Sequence, residues 1–523
     1  MQLSRDSAYK GSILLCAPSN SAADTLALRL RAHFDPIKML RLNSFSRTFA
    51  EVPQELLPYC YVMDDRFNIP PLEELMLRKV VITTCKDADM LVQAKVCNRD
   101  LIALQRNMFM AIHPECIADA IKIATPLHWA ALIVDEAAQA TEPETLIPLT
   151  VVAPHNTYPC TRNPVFVMAG DQHQLNPRTY HKHTTLSVSL FERLSNCPVY
   201  ASHPLARKSL HRASQTSKML RPPFVHLIRN YRSHPAILAI PSSLFYNNTL
   251  IPEAVNADAL QSWTGWRGRQ WPVLFACNGG QDECEDIRSV GGGWYNVREV
   301  RKAMAFARHL LAENMITNQS EICIMSPFGA QVRLLRKLAR NSGLWELNIG
   351  PMEAFQGLES RFVILCTTRA QKQFIEQDKL RGLGIVNEKK KFNVALTRAK
   401  QGLIVIGNPW VLATDPYWLA FLNFCRRNEL WTGDYEEQDQ QMLGLEEGNA
   451  NEWRTIQDST TSNNGDAVKI TGFEAALRFK ERDKDVGSRA ARRFMSGSES
   501  LDDAMWRAGL EAEASLELTE EDG

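Results

Sequence analysis

Eight short runs of Val, Ile and Leu constrain the fold of this 523-residue chain more than any other feature. The first four are SILLCAPS (12–19), VVITT (80–84), AALIVDE (130–136) and VFVMAGD (165–171). The second four are PVLFAC (272–277), ICIMSP (322–327), FVILCTT (362–368) and GLIVIGN (402–408). A strand with one wet face alternates apolar and polar residues. A continuous apolar run is instead a strand covered on both faces, as in a parallel sheet. Helical stretches such as 24–33 and 297–312 lie between the runs. Strands alternating with helices define an α/β fold, and two sets of four predict two such domains. Their junction is expected near Arg221, Pro222 and Pro223, giving domains 1–222 and 223–435.

Residues 436–523 differ in composition. They are rich in Glu, Gln, Asn, Ser and Thr and end in a cluster of acids that includes Asp502, Glu511 and Glu520. Such a stretch buries too little apolar surface to order itself, so a mostly disordered acidic tail is expected. Lys+Arg and Asp+Glu both total 59, so any nucleic-acid site must be a local stripe. No apolar run approaches the ~20 residues of a membrane span, and residues 1–10 lack the apolar core of a secretory signal. Twelve scattered cysteines without a C-x-x-C pair fit reduced thiols. The cytoplasm is the expected compartment, with the nucleus open. His173, His181 and His183 have no cysteine partners and read as a polar loop rather than a metal site.

In an open parallel sheet, ligands bind at the carboxyl ends of the strands. The unusual residues of this chain fall there. Asp135 and Glu136 directly follow a buried strand, where an acidic pair is costly unless it meets a cation. They read as a Walker B pair, with Asp135 holding Mg²⁺ through water and Glu136 activating the attacking water. An Asp-Glu at a strand end is common by itself. The next run supplies Gly170, Asp171 and Gln174, and an amide at Gln174 suits a γ-phosphate contact. The second domain offers Arg232 in RNYRSHP and Arg398 in FNVALTRAK. Two arginines aimed at a triphosphate would act as arginine fingers, a role that suits the planar guanidinium fork. In EAFQGLES, Gly357 lets the backbone approach a phosphate, flanked by Gln356 and Glu359.

The ordered set APSNSAAD, TTC, DEAAQATEPE, GDQHQLNP, RNYRSHP, SPFGAQ, EAFQGLES and FNVALTRAK resembles superfamily 1 helicases of the nonsense-mediated-decay group. NYRSHPAILAIPSSLFYNNTLI and GNPWVLATDPYWLAFLNFCRRNELWTG resemble its Armitage-type silencing branch. The resemblance spans about residues 11–433. It implies two RecA-like domains, with ATP and Mg²⁺ as cofactors and 5′-to-3′ tracking on single-stranded RNA. It implies catalytic roles for Asp135, Glu136, Arg232 and Arg398, and nucleotide contacts for Gln174, Tyr231, Gly357 and Glu359. Pro18, Ser19 and Asn20, with Thr83 and Thr84 beside them, would touch the nucleic acid. Backbone contacts and stacking suit DNA as well as RNA, so both stay open. Silencing or RNA-decay proteins are the implied partners.

The chain departs from this family in three places. No Gly-Lys dipeptide occurs, so the G-x-x-x-x-G-K-[ST] phosphate loop is missing. A chain without that loop is expected to be inactive as an ATPase, which leaves room for a non-catalytic RNA-binding relic or scaffold. A start displaced downstream of the loop is the simpler expectation. The strand at 12–17 is then expected at an open sheet edge beside the missing phosphate-loop strand. Pro351 stands where the family has Ser or Thr, removing one nucleic-acid contact. Residues 97–129 form a longer link before Asp135 than the family uses.

Overall fold

The computed structural model describes residues 11–113, 124–177, 179, 185–201, 224–285, 293–355 and 357–433. The chain divides into two compact units between residues 203 and 204. The acidic segment 436–523, Gln356, His181, His183 and Arg221–Pro223 lie outside the described residues.

In the first unit, five strands form one all-parallel sheet. They are β1 (Ser12–Ala17), β2 (Met39–Arg41), β3 (Val80–Thr84), β4 (Trp129–Val134) and β5 (Val165–Met168), in the order β2-β3-β1-β4-β5. Alternation along β1 explains why its run is continuously apolar. Leu14 and Cys16 enter the core on one face, and Leu15 and Ala17 enter the core on the other. β1 was expected at an open edge. It lies instead in the middle of the sheet, buried on both faces and paired in parallel with β3 on one side and β4 on the other. Of the two edge strands among the described residues, β2 is buried and β5 is exposed. There Phe166 is 37% and Val167 41% exposed, so the expectation of burial on both faces fails at this one run. Helix α1 (Asn20–Leu30) follows β1 and starts on a Ser19 cap. Helix α2 (Asn98–Ile112) opens the long link. Its Asn98 side chain donates to the carbonyls of Trp129 and Val152 and accepts from Trp129 N–H, which ties the link to β4. Helix α3 (Glu142–Val152) opens with a Thr141/Glu144 capping box.

The second unit has a six-stranded sheet, also parallel throughout. Its strands are β6 (Val273–Cys277), β7 (Ile322–Met325), β8 (Asn348–Gly350), β9 (Ser360–Cys366), β10 (Ala399–Gly407) and β11 (Trp431–Thr432), in the order β8-β7-β9-β10-β6-β11. Its faces are covered by α4 (Pro235–Phe245), α5 (Val297–Ala312), α6 (Gly329–Asn341), α7 (Lys389–Thr397) and α8 (Pro416–Arg427). All eight runs read from the sequence are strands. The three further strands of these two sheets, β2, β8 and β11, are two or three residues long, too short for a periodicity signal.

Burial sets one pH response. His128 lies just before β4, and its Nε2 has no hydrogen-bond partner among the described residues. Burial first, and Lys79 second, lowers its pKa from the ordinary 6.5 to about 4. As pH falls below 6.5, the unfolded chain takes up a proton that the folded chain refuses. Stability is therefore expected to drop between pH 6.5 and 4, by up to about 3 kcal/mol. Urea denaturation of His128→Phe should show a flatter profile across that window; parallel profiles would refute this assignment.

Candidate nucleotide and nucleic-acid site

Because the first sheet is parallel, every strand delivers its carboxyl end to the same edge. Across that edge, in strand order, stand Thr84 at the end of β3, Pro18–Asn20 after β1, Asp135–Glu136 after β4 and Asp171 after β5. The loops are pinned to their neighbours. Asp135 N–H donates to the Cys16 carbonyl, Cys85 N–H to Ala17, and Ala137 N–H to Ala169. Glu136 adopts a left-handed backbone at φ 51°, ψ 35°, uncommon for a residue with a side chain. Such strain persists only where surrounding contacts impose it, and it clusters at functional sites. Asp135 Oδ1 accepts from Glu136 N–H at 3.0 Å, and Gln139 Nε2 holds Glu136 Oε2 at 2.7 Å. Gly170 packs against this turn. A Cβ there would lie 3.0 Å from Ala138 N and 3.2 Å from Ala137 N, which explains the glycine. Gln174 donates to Asp171 Oδ2 at 3.0 Å.

The five residues expected at nucleic acid differ in accessibility. Pro18 is half-buried and Ser19 exposed, while Thr83 is fully buried and its hydroxyl has no partner among the described residues. Thr84 is buried and accepts from Asp87 N–H. Asn20 belongs to a charged network that the sequence reading missed. Arg41, fully buried in β2, donates to Asp24 Oδ1, to the Leu42 carbonyl and to Asn20 Oδ1 at 2.9 Å. Arg47 binds both oxygens of Asp24, at 3.0 and 2.5 Å. The signal was present: an arginine inside the apolar stretch KMLRLN needs a buried acceptor. A guanidinium only donates, so it fixes which end of the Asn20 amide faces it. The Nδ2 group is left to face away, with no hydrogen bond among the described residues.

In the second unit, one carboxylate gathers two cations. Glu359 accepts from Arg232 Nε at 2.6 Å through Oε2 and lies 2.6 Å from Lys400 Nζ through Oε1. Partial burial would raise the Glu359 carboxyl, but hydrogen bonds from Lys400 and Arg232 outweigh it and hold it below the usual carboxylate range. The Arg232 segment is clamped on β10, with Ser233 Oγ donating to Ala399 O and His234 N–H to Lys400 O. Tyr231, 67% exposed, presents its ring to solvent beside this cluster. Gly357 sits at φ 73° with open space beyond its Cα. Arg398 does not join the exposed group. It is buried, donating to the Val394 and Leu358 carbonyls at 3.3 and 3.2 Å. Lys400, two residues on in the same motif, takes the surface position instead.

Comparison with known proteins gives the family. Two family models, each described as an AAA domain, match residues 116–182 and 186–410. The putative helicase mov-10-B.1 of Danio rerio is 32% identical over 80% of this chain and 39% of its own length. The ATP-dependent helicase upf1 of Schizosaccharomyces pombe is 28% identical over 79% of this chain and 41% of its own. The probable RNA helicase armi of Drosophila melanogaster is 26% identical over 80% of this chain and 34% of its own. The chain thus spans well under half the length of these relatives. It belongs to the superfamily 1 helicases, in the group that holds mov-10, upf1 and armi.

The Asn20 geometry makes a prediction independent of any ligand. Asn20→Asp keeps an acceptor toward Arg41 and adds charge, so melting temperature should hold or rise. Asn20→Leu leaves a buried guanidinium N–H unsatisfied and should cost about 1–3 kcal/mol. Equal melting temperatures for the two variants would show that the amide is not fixed by Arg41.

Proposed function

We propose that residues 11–433 form the core of an ATP-dependent helicase that moves 5′ to 3′ on single-stranded RNA. The observation that carries this is the shared strand-end edge of the first sheet. There a small-residue loop for a backbone ligand neighbours a strained acidic pair suited to phosphate chemistry. Among the described residues no group of three or more His, Cys, Asp or Glu is placed to hold a metal alone. That fits Mg²⁺, which uses one or two carboxylates and completes its shell with water and substrate phosphates. Asp135 would be the protein ligand, through water, and the ion would neutralise charge on the transferred phosphoryl group. Glu136, oriented by Gln139, would position the attacking water. Gln174, Tyr231, Gly357 and Glu359 would contact the nucleotide.

Arg232 and Arg398 would act as fingers, a contribution of about 10³–10⁵ in rate. Arg398 must first release its two carbonyl contacts. Binding to RNA rather than DNA is supported by the relative whose name specifies RNA, and silencing or decay proteins in the cytoplasm are the corresponding partners. No helix among the described residues is long and apolar enough to cross a membrane. The second reading, for a chain that works without a G-x-x-x-x-G-K-[ST] loop, is a non-catalytic RNA-binding scaffold.

Two measurements decide between these readings. The 523-residue chain should turn over ATP at least tenfold more slowly than a complete relative, even with single-stranded RNA present, because the phosphate cradle is missing. Comparable turnover would overturn that expectation. When a strand and phosphate loop are supplied ahead of residue 11, activity should appear, and Glu136→Gln should abolish turnover while keeping ATP and RNA binding. Arg398→Ala should lose turnover more than ATP affinity. No gain of turnover on adding the loop would favour the scaffold, and matched RNA and DNA overhangs would show which strand is preferred.

A further inference from the structure

Helices α5 and α6 lie side by side over one face of the second sheet. Asn296 N–H donates to Gln331 Oε1 at 2.7 Å at one end, and Arg308 donates to Ser342 Oγ at 2.5 Å at the other. These links join residues 35 and 34 positions apart, so the helices run parallel and level. Their inner faces supply Val300, Met304 and Ala307, and Val332, Leu335 and Ala339, to one core.

Their outer faces are cationic. Arg298, Arg301 and Arg308 are exposed on α5. Arg333, Arg336, Lys337 and Arg340 are exposed on α6. The one acid in either helix is Glu299, which is fully buried. Arg333 pairs with Glu285, and Arg336 donates to the Ile349 carbonyl. The other five have no acidic partner among the described residues. The level pairing sets Arg298 near the height of Arg333, and Arg301 near that of Arg336. Seven cations thus occupy a face about 10 Å between helix axes and roughly 15 Å along them. In a chain of zero formal net charge this concentration is local, and like charges so close repel one another.

Two features favour one kind of ligand. Six of the seven cations are arginine, whose planar fork matches phosphate. Five residues past Arg340, after a left-handed turn at Gly343, Trp345 is 73% exposed. A polynucleotide offers both what the cations need and a flat base for an exposed indole; an acidic peptide offers the charge alone. The stripe also begins near the carboxyl ends of the second sheet's strands, since a Cβ on Gly280, just past β6, would lie 2.6 Å from Arg298 Cδ. We propose that the outer face of α5 and α6, together with Trp345, is a second binding surface for single-stranded polynucleotide, beginning at the carboxyl ends of the second sheet's strands. This rests on the nucleic-acid reading given above.

The test uses the full chain and a fluorescein-labelled uridine oligonucleotide of about 20 nucleotides, followed by anisotropy across a salt series. The triple variant Arg301→Glu, Lys337→Glu, Arg340→Glu should bind at least tenfold more weakly at low salt. Its log–log salt slope should be less negative by about 2, at roughly 0.7 per lost phosphate contact. Trp345→Ala should weaken binding about fivefold or more with the slope unchanged. All substituted positions are exposed, so melting temperatures should stay near that of the parent. Unchanged affinity in both variants, with the parent binding, would overturn the second surface and leave the first reading intact. No binding by the parent at low salt would overturn both. If oligonucleotide affinity is unchanged but the charge reversal speeds proteolysis of the acidic residues beyond 433, the stripe serves this chain's own acids, and the proposal is wrong.

Discussion

Parallel pairing of β1 with β3 on one side and β4 on the other is the constraint on which the first unit depends. Parallel strands present all their carboxyl ends on one edge, so residues far apart in sequence meet there without long loops. Backbone hydrogen bonds continue the pairing past the strand ends, from Asp135 to Cys16 and from Cys85 to Ala17. The loops that carry the chemistry therefore inherit the rigidity of the sheet. The left-handed Glu136 is tolerated because Gln139, Ala169 and the close approach of Gly170 surround it. A strained acid held this way is pre-organised, which is what a group that must orient water requires.

Each unit also buries an arginine in a charged network. In the first, Arg41 and Arg47 converge on Asp24 and fix Asn20. In the second, Arg369 meets Asp282 at 2.8 Å and Asp378 at 2.5 Å, and its guanidinium lies 4.0 Å from the centre of the Trp294 ring. Buried pairs add little net stability against an apolar replacement, but losing one partner leaves a charge stranded at a cost of about 3–5 kcal/mol. Their effect is to select one arrangement of the loops they tie. Arg369 directly follows Thr368, a β-branched residue at φ 73° whose N–H is held by buried Glu299. Burial drives the Glu299 carboxyl well above its usual range.

The fold was legible because burial on both faces writes a continuous apolar run, and eight strands carry that mark. What was not legible depended on position within the sheet. Nothing in VFVM says that Phe166 and Val167 lie on the open strand, since edge and centre use the same residues. At the site, Asp135, Glu136, Gly170 and Arg232 stood out because acids, glycines and arginines are unexpected at buried strand ends or fixed turns. Arg398 was read as an arginine finger; its guanidinium is buried and donates to the Val394 and Leu358 carbonyls, while Lys400, two residues on, reaches Glu359. Which of two neighbouring cations faces outward is decided by helix phase where α7 runs into β10, a geometric fact that residue type does not carry. Thr83 shows the same limit, its hydroxyl turned into the core one residue before the strand end.

The central claim is that the strand-end edge of the first sheet holds single-stranded nucleic acid. The most direct test is photo-crosslinking of the full chain to an oligonucleotide containing 4-thiouridine, with the attachment sites mapped by mass spectrometry. Crosslinks in the peptides carrying Pro18–Asn20 or the residues just after Thr84 are the predicted result. Efficient crosslinking that spares both peptides would contradict it.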